Sequence, residues 1–248
     1  MTADPQLFIV TGSSRGMGEA IAQQLLQPGH VVLGMARQQS AALAIAAQNR
    51  SAELLQWQAD LGQPLAAATR LREWLHGLDA SRFERIHLIN NAALVSPPGP
   101  VQSCTLESLS ATVRVGLEAV LLLSAAFLQG SQGWTAERRI LNISSGLGRR
   151  AMAGAAPYCA IKAGMDNLSS AMALDGTKIV SLAPGIIDTE MQAQLRGADP
   201  ALFPEQAKFA AFKNEGRLDS PGAAAAKVLR YLSRSDFGET VLADVREA

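Results

Sequence analysis

LFIVTGSSRGMG, at residues 7–18, places a short apolar strand directly before a glycine-rich turn, and a stretch of helical length follows it. Glycines permit a tight turn and a close approach of backbone to a pyrophosphate, and the helix N-terminus adds free N–H groups. A glycine-rich turn without a ligand would carry the same letters, but the position after the first strand favours a nucleotide cofactor. The residues predicted to bind it here are Gly12, Ser14, Arg15, Gly16, Met17 and Gly18.

Beyond this turn, short apolar runs alternate with longer stretches of helical spacing. The candidate strands are residues 7–11, 31–35, 54–59, 86–90, 140–144, 179–183 and 241–243. The candidate helices include residues 18–26, 65–75, 106–128, 158–174 and 221–232. This alternation predicts a parallel sheet of about seven strands with helices on both faces.

The chain shows no repeat or linker that would divide it, so residues 1–248 are predicted to form one domain. The one long irregular stretch, residues 185–219, follows the sixth strand and contains Phe203, Phe209 and Phe212. Long connections in compact domains are usually functional or mobile. This stretch is therefore predicted to be a lid over the substrate, in which most of the phenylalanines pack the lid itself.

Charge and cysteine content narrow the classes of partner. The 22 Lys and Arg residues balance 22 Asp and Glu residues, so the chain has no excess of positive charge that would attract nucleic acid or an anionic membrane. Cys104 and Cys159 lack metal-ligand spacing, so neither a disulfide framework nor a metal site is predicted. The polar residues 1–6 do not resemble a signal peptide, and the most apolar run, 113–128, is too short to span a membrane. We expect a cytoplasmic protein with a small-molecule partner.

The end of the second strand bears on the choice of cofactor. A fold that binds NAD offers an acidic residue to the ribose hydroxyls there, whereas this sequence has Ala36 followed by Arg37. Arg15 and Arg37 together could hold a 2′-phosphate by charge-assisted hydrogen bonds, although either alone could be a solvated surface residue. Their joint placement predicts NADPH or NADP⁺.

Polar residues also follow the third and fourth strands, at the edge where open α/β sheets bind ligands. Asp60 is predicted to accept a hydrogen bond from the adenine amine, with a helix N-cap as the alternative. Asn91 and Ala92 are predicted to border the cofactor, with turn formation as the alternative for the asparagine.

Tyr158-Cys159-Ala160-Ile161-Lys162 is the strongest catalytic signal, because residues four apart share a helix face. The Lys162 ammonium, together with the charged nicotinamide of the cofactor, is predicted to lower the pKa of the Tyr158 phenol and so to help it exchange a proton near neutral pH. A half-buried structural tyrosine is the alternative. Ser144 and Ser145 end the fifth strand, where one hydroxyl is predicted to hold a carbonyl oxygen and the other to form a turn.

These motifs occur in one order across essentially the whole chain, and with TGSSRGMG, NNA, ISS, YCAIK and PGIIDT the sequence resembles the short-chain dehydrogenase/reductase family. The resemblance implies a single Rossmann-type doubly wound α/β domain and hydride transfer from NADPH to a carbonyl carbon. Within the family, LINNAALVSP, NISSG and PGIIDTEMQ are similar to the branch of sepiapterin and benzil reductases, which implies vicinal dicarbonyl substrates.

The family pattern also implies residue roles. Ser145 would orient the substrate carbonyl, Tyr158 would donate the proton, and Lys162 would tune Tyr158 and hold the nicotinamide ribose. The resemblance further implies a homodimer or homotetramer formed through the two long helices. The carboxamide of the nicotinamide would be seated by Pro184, Gly185, Ile187 and Thr189.

Two positions depart from the family pattern. Gly116 stands where many members carry an asparagine that kinks the helix and helps to hold a water in the proton relay, and Ala93 replaces the glycine of NNAG. The predicted function is an NADPH-dependent reductase of a small ketone or α-diketone. Gly116 leaves open an NADP(H)-binding regulator with little turnover. An NAD-linked alcohol dehydrogenase is the other alternative, against which Arg37 argues.

Overall fold

The structure, a computed structural model, describes residues 5–247. The seven predicted strands are all present, with ends that differ from the predicted ends by at most three residues. They are β1 (Gln6–Thr11), β2 (Val31–Ala36), β3 (Glu53–Gln58), β4 (Arg85–Asn90), β5 (Glu137–Ile143), β6 (Ile179–Ala183) and β7 (Leu242–Asp244). The predicted parallel sheet is thereby confirmed.

The sheet has the order β3-β2-β1-β4-β5-β6-β7, and every pairing is parallel. Strand β1 therefore has β2 on one side and β4 on the other, with Val10 paired to both Gly34 and Ile89. The chain winds away from β1 in opposite directions, so a crevice opens at the carboxyl ends of β1 and β4.

Helices cover both faces of this sheet. They are α1 (Gly16–Leu25), α2 (Ala41–Arg50), α3 (Pro64–His76), α4 (Leu106–Val113), α5 (Ala119–Gly130), α6 (Ala156–Leu174), α7 (Glu190–Arg196), α8 (Gln206–Asn214) and α9 (Pro221–Leu232). Alternate residues of β1 point to opposite faces. Phe8 and Val10 pack with α1, α2 and α9, whereas Leu7 and Ile9 pack with α3 and α5.

Two predictions about helices were incomplete. Helix α2 was not among the predicted segments, yet its N-cap is a serine, Ser40, whose hydroxyl oxygen accepts a hydrogen bond from the Leu43 N–H (3.1 Å). The connection 185–219 is not wholly irregular, because it contains α7 and α8. Both helices bury few side chains, which explains their weak apolar pattern.

The predicted buried helix 113–128 is part of a longer helical run, Leu106–Gly130, in which a π-helical turn, Arg114–Glu118, joins α4 to α5. This run matches the predicted helix 106–128 to within two residues, and with 25 residues and an 18-residue window of mean hydropathy 1.8 it is long and apolar enough to cross a membrane, so the expectation that it is too short was wrong. A core helix meets the same criteria. Here Ala119, Leu123 and Phe127 are at most 1% exposed and pack in the core beside α3.

His87 of β4 makes the stability of the fold sensitive to acid. Its ring is buried, stacks on Phe8 at 4.5 Å between centroids, and has Nε2 2.9 Å from Oε1 of Gln6. Burial lowers the pKa of His87 to about 3, with Arg139 and Arg85 acting in the same direction. The unfolded chain therefore binds the extra proton between pH 6.5 and about 3, and stability falls as the pH drops through that window.

Between pH 7 and pH 5, His87 should cost the wild type about 2 kcal/mol of unfolding free energy. We expect the His87→Leu variant not to show this part of the loss. Urea unfolding at the two pH values measures this difference. His76→Leu, which changes an exposed histidine, is the control and should retain the wild-type pH dependence. Equal pH dependence in the His87 variant and the wild type would show that His87 is not the responsible group.

Candidate active site

A cleft of about 1120 Å³ opens at the carboxyl ends of the strands, above the point where the sheet order reverses. Ligand sites typically have about 300–1,000 Å³, so this cleft has room for a dinucleotide and a small substrate together. Every residue predicted from the sequence to bind cofactor or substrate lines it: Gly12, Ser14, Arg15, Gly16, Met17, Gly18, Arg37, Asp60, Asn91, Ala92, Ser145, Tyr158, Lys162, Pro184, Gly185, Ile187 and Thr189.

The glycine-rich turn has the geometry of a phosphate cradle. Gly12 and Gly16 adopt left-handed backbone angles, with φ of 68° and 58°. A methyl group at Gly18 would overlap the Gly12 carbonyl and the Asn91 side-chain amide. The first turn of α1 receives no side-chain cap from Arg15, so its N–H groups remain available to an anion. The residues present thus fit the diphosphate of a nicotinamide dinucleotide.

Thr11, at the end of β1, binds the backbone that follows β4. It was not identified from the sequence as a site residue. Its hydroxyl oxygen accepts hydrogen bonds from the backbone N–H groups of Asn91 (2.9 Å) and Ala92 (3.0 Å). The Asn91 amide donates in return to the Thr11 carbonyl (2.9 Å). The asparagine side chain therefore links the end of β4 to β1 at the edge of the cleft.

The two arginines predicted to hold a 2′-phosphate are placed differently. Arg37 follows β2, is exposed, and has no ion-pair partner within residues 5–247. Arg15 forms an ion pair with Glu190, the first residue of α7, in surroundings open to water. A 2′-phosphate would meet Arg37 without competition and would compete with Glu190 for Arg15.

Asp60 borders the cleft through a local turn. Its Oδ1 accepts a hydrogen bond from the Gly62 N–H (2.9 Å). The alternative role as a helix N-cap is wrong, because the residue that precedes α3 is Gln63. The contact to an adenine amine stays a prediction.

Tyr158 and Lys162 lie one turn apart on α6, as their spacing predicted, and Lys162 Nζ is 5.6 Å from the centre of the Tyr158 ring. Lys162 is only 2% exposed and donates a hydrogen bond to the Ile143 carbonyl (2.6 Å). Ser145 accepts a hydrogen bond from the Leu147 N–H (3.1 Å), which leaves its own hydroxyl hydrogen for a ligand. These three side chains face one cleft.

The electrostatics of the pair differ from the sequence-based expectation. Burial raises the pKa of Tyr158 to about 12, and the neighbouring Ser145 hydroxyl opposes this rise. In the cofactor-free chain the desolvation of a phenolate outweighs the other contributions, and the lowering predicted with the charged nicotinamide bound stays a prediction. Burial also lowers the pKa of Lys162 to about 8, against the raising effect of Asp166. At neutral pH the phenol is protonated and the amine is predominantly a cation.

Gly116 lies in the π-helical turn, so the helix is distorted here without an asparagine. A methyl group at Gly116 would overlap the end of the Ile161 side chain and would lie 3.2 Å from its Cγ1 atom. The buried Ile161 therefore occupies the space in front of Gly116. Residue 116 supplies no side-chain amide to the site.

The connection 185–219 is closed at its base and folds over the cleft. Backbone hydrogen bonds join Asp188 to Asp219 (2.9 Å) and Asp219 to Ile186 (2.9 Å). Phe209 and Phe212 line the cleft, whereas Phe203 is fully buried against Gly154. The prediction that most of these rings only pack the segment holds for Phe203 alone.

Two ion pairs of one aspartate link the two helices of this connection. Asp188 accepts a hydrogen bond from Lys213 of α8 and pairs with Arg196 of α7. The Lys213 ammonium lowers the pKa of the Asp188 carboxyl. The Asp188 carboxylate is thus charged at neutral pH and holds α7 near α8.

Known proteins resemble this chain over most of its length. The model of the family described as short chain dehydrogenase matches residues 6–200. A benzil reductase ((S)-benzoin forming) from Bacillus cereus is 33% identical over 244 residues, which cover 95% of this chain and 98% of that protein. A sepiapterin reductase from Mus musculus is 32% identical over 250 residues, covering 92% of each.

Solved structures agree on the fold. The crystal structure of a variant of actinorhodin polyketide ketoreductase with NADPH superposes with a TM-score of 0.79 at 23% identity, covering 97% of this chain and 95% of that one. The arrangement of seven parallel strands between two helical layers is thus a Rossmann fold.

Proposed function

The chain belongs to the short-chain dehydrogenase family, whose members bind nicotinamide cofactors, and it is an oxidoreductase that acts on C=O or CH–OH groups; we propose that it is an NADPH-dependent reductase of a small ketone or α-diketone. The observation that carries this proposal is the convergence of Ser145, Tyr158 and Lys162 in the cleft that also contains the phosphate cradle. Cofactor and substrate would therefore meet at the same three side chains.

Cofactor binding would use the cradle, Arg37 and the residues after β6. Backbone N–H groups at the start of α1 would hold the diphosphate, and the Arg37 guanidinium would pair with a 2′-phosphate. Lys162 would hold the nicotinamide ribose, and Ile187 and Thr189 would seat the carboxamide. When bound, the reduced nicotinamide supplies a hydride to the substrate carbon.

The other steps of the reduction take place at the carbonyl oxygen and would use Ser145, Tyr158 and Lys162. The Ser145 hydroxyl would donate a hydrogen bond that fixes the oxygen, and the Tyr158 phenol would donate the proton. With its pKa raised to about 12, Tyr158 carries that proton throughout the neutral range. The Lys162 cation would then stabilise the phenolate that remains.

Apolar residues that line the cleft beside Ser145 and Tyr158 favour an apolar substrate. Leu94, Val95, Leu147, Met152 and Phe209 are among the residues that line the cleft. The relatives named above are reductases of benzil, an aromatic α-diketone, and of sepiapterin. We therefore propose vicinal dicarbonyl compounds as the substrate class, with residues 185–219 acting as the lid over them.

The experiment that tests this proposal is a screen of benzil, sepiapterin and simple monoketones with NADPH and with NADH, followed by absorbance. We expect oxidation of NADPH to be fastest with a vicinal dicarbonyl. If no compound of the panel supports oxidation of either cofactor, the proposed function is wrong. We further propose that the protein is a cytoplasmic homodimer or homotetramer. Leu106, Val113 and Leu121 of the long helix are exposed, and a mass measurement in solution on the same preparation tests the oligomeric state.

A further inference from the structure

Asp166 is a buried acid that no step proposed above uses. It lies on α6 one turn beyond Lys162, is 4% exposed, and does not line the cleft. Its Oδ1 accepts hydrogen bonds from Ser144 (2.6 Å) and from Ser181 of β6 (2.6 Å). Burying a carboxylate is costly unless it is paired and hydrogen-bonded, so this site is built around the charge.

Arg149 completes the surroundings of Asp166 and anchors the loop that follows Ser145. Its Nε donates to Oδ2 of Asp166 (3.3 Å), and its Nη2 donates to the carbonyls of Ser181 (3.1 Å) and Ala243 (3.0 Å). The loop lies close against α6 at Gly148, where a methyl group would come within 3.0 Å of the Lys162 carbonyl. Asp166 thus joins α6, β6 and the loop that lines the substrate side of the cleft.

The charge of Asp166 also acts on Lys162. The titratable groups beside Lys162 are Tyr158 and Asp166 on its own helix. Asp166 is in turn paired with Arg149 from the loop after β5, whose charge also acts on Asp244 of β7. Burial lowers the pKa of Lys162 to about 8, and Asp166 is the group that opposes this change. Without that charge, Lys162 would lose its proton at a lower pH.

We propose that Asp166 is a positioning residue for the reaction, which holds Ser145 in place through Ser144 and keeps Lys162 a cation through its own charge. This inference rests on the proposed reductase function for its kinetic readout. Its binding readout, the Kd for NADPH, does not require carbonyl reduction, because Lys162 is also expected to contact the cofactor ribose.

The test is Asp166→Asn, with kcat/KM and the Kd for NADPH measured from pH 6 to pH 10. The asparagine keeps an acceptor for Ser144 and Ser181 but removes the charge. We expect the alkaline limb of both profiles to move to lower pH by about one unit. Above pH 8, kcat/KM and the affinity for NADPH should then fall by up to about tenfold, and at pH 6 both should stay near their wild-type values. A merely structural role would lower activity equally at every pH.

Asp175→Asn is the matched control, because it makes the same change in an exposed residue just after α6 and should leave both profiles unchanged. If Asp166→Asn does not fold, Ser144→Ala tests the tether alone. It should lower kcat without moving either limb, and an unchanged kcat would overturn the role in positioning Ser145.

The outcomes separate this inference from the proposed function. A wild type that reduces carbonyls, with a folded Asp166→Asn variant that matches it at every pH, would overturn only the role of Asp166. A wild type that binds NADPH but reduces nothing would overturn the proposed function. In that case the pH profile of the Kd still decides whether Asp166 keeps Lys162 charged.

Discussion

Replacing Tyr158 with Phe is expected to lower kcat/KM for carbonyl reduction by about 10²–10⁴-fold, the range that a positioned general acid contributes. The phenol of Tyr158 lies beside Ser145 and keeps its proton at neutral pH, since burial raises its pKa to about 12. Phenylalanine preserves the ring but removes the proton. NADPH consumption with the best substrate of the panel measures the effect, and NADPH fluorescence should show binding changed by less than about threefold.

The control for this change is Tyr231→Phe, at the only other tyrosine of the chain. Tyr231 packs in the core beside Phe237, with ring centroids 6.5 Å apart, and does not line the cleft. Losing that hydroxyl should leave kcat/KM unchanged. If the Tyr158 variant also retained full turnover, Tyr158 could not be the proton donor. If the wild type and the Tyr158→Phe variant both bound NADPH tightly with negligible turnover, a regulator that binds NADP(H) would be favoured instead.

The strands were predictable from the sequence because both faces of a parallel sheet are buried. Central strands such as β1 and β2 are then short continuous apolar runs, as in residues 7–10, and such runs stand out between longer helices. Helices α7 and α8 could not be predicted in this way. The buried residue of α7 is Gln192 and that of α8 is Phe209, so neither helix carries an apolar stripe.

The residues that line the cleft were predictable for a related reason. Parallel strands bring their carboxyl ends to one edge, so residues that follow different strands, such as Arg37, Asn91 and Ser145, meet there. The surroundings of Asp166 follow no such rule. The side chains that contact it lie 15 to 22 residues away in the chain. In the sequence, a buried acid within a helix cannot be told from one exposed to solvent.

The pKa of Tyr158 shows a second limit of sequence reasoning. A lysine four residues away suggests a lowered pKa, and the spacing is confirmed by the structure. The size of the opposing desolvation depends on what surrounds the phenol in three dimensions. That information comes from the packing of α6 against the loop after β5, which no local motif contains.

Arg37→Asp is expected to change the choice of cofactor by roughly 10²-fold in the ratio of kcat/KM with NADPH to that with NADH. Charge-assisted hydrogen bonds are worth about 1.5–3 kcal/mol each, so losing the guanidinium should cost NADPH roughly tenfold or more. An aspartate at the end of β2 would also repel the 2′-phosphate and accept hydrogen bonds from the ribose hydroxyls of NADH. Steady-state rates with both cofactors at one fixed ionic strength measure the ratio.

Arg230→Asp makes the same charge change on the outer face of α9, away from the cleft, and should leave the ratio at its wild-type value. This control separates a contact at Arg37 from a general effect of net charge on a cofactor that carries several negative charges. Because Arg15 is paired with Glu190, and Arg37 has no ion-pair partner in the described part of the chain, Arg37 should meet the 2′-phosphate first. A wild type that uses NADH and NADPH equally well would show that neither arginine recognises that phosphate, and the NAD-linked alternative would then account better for the cleft.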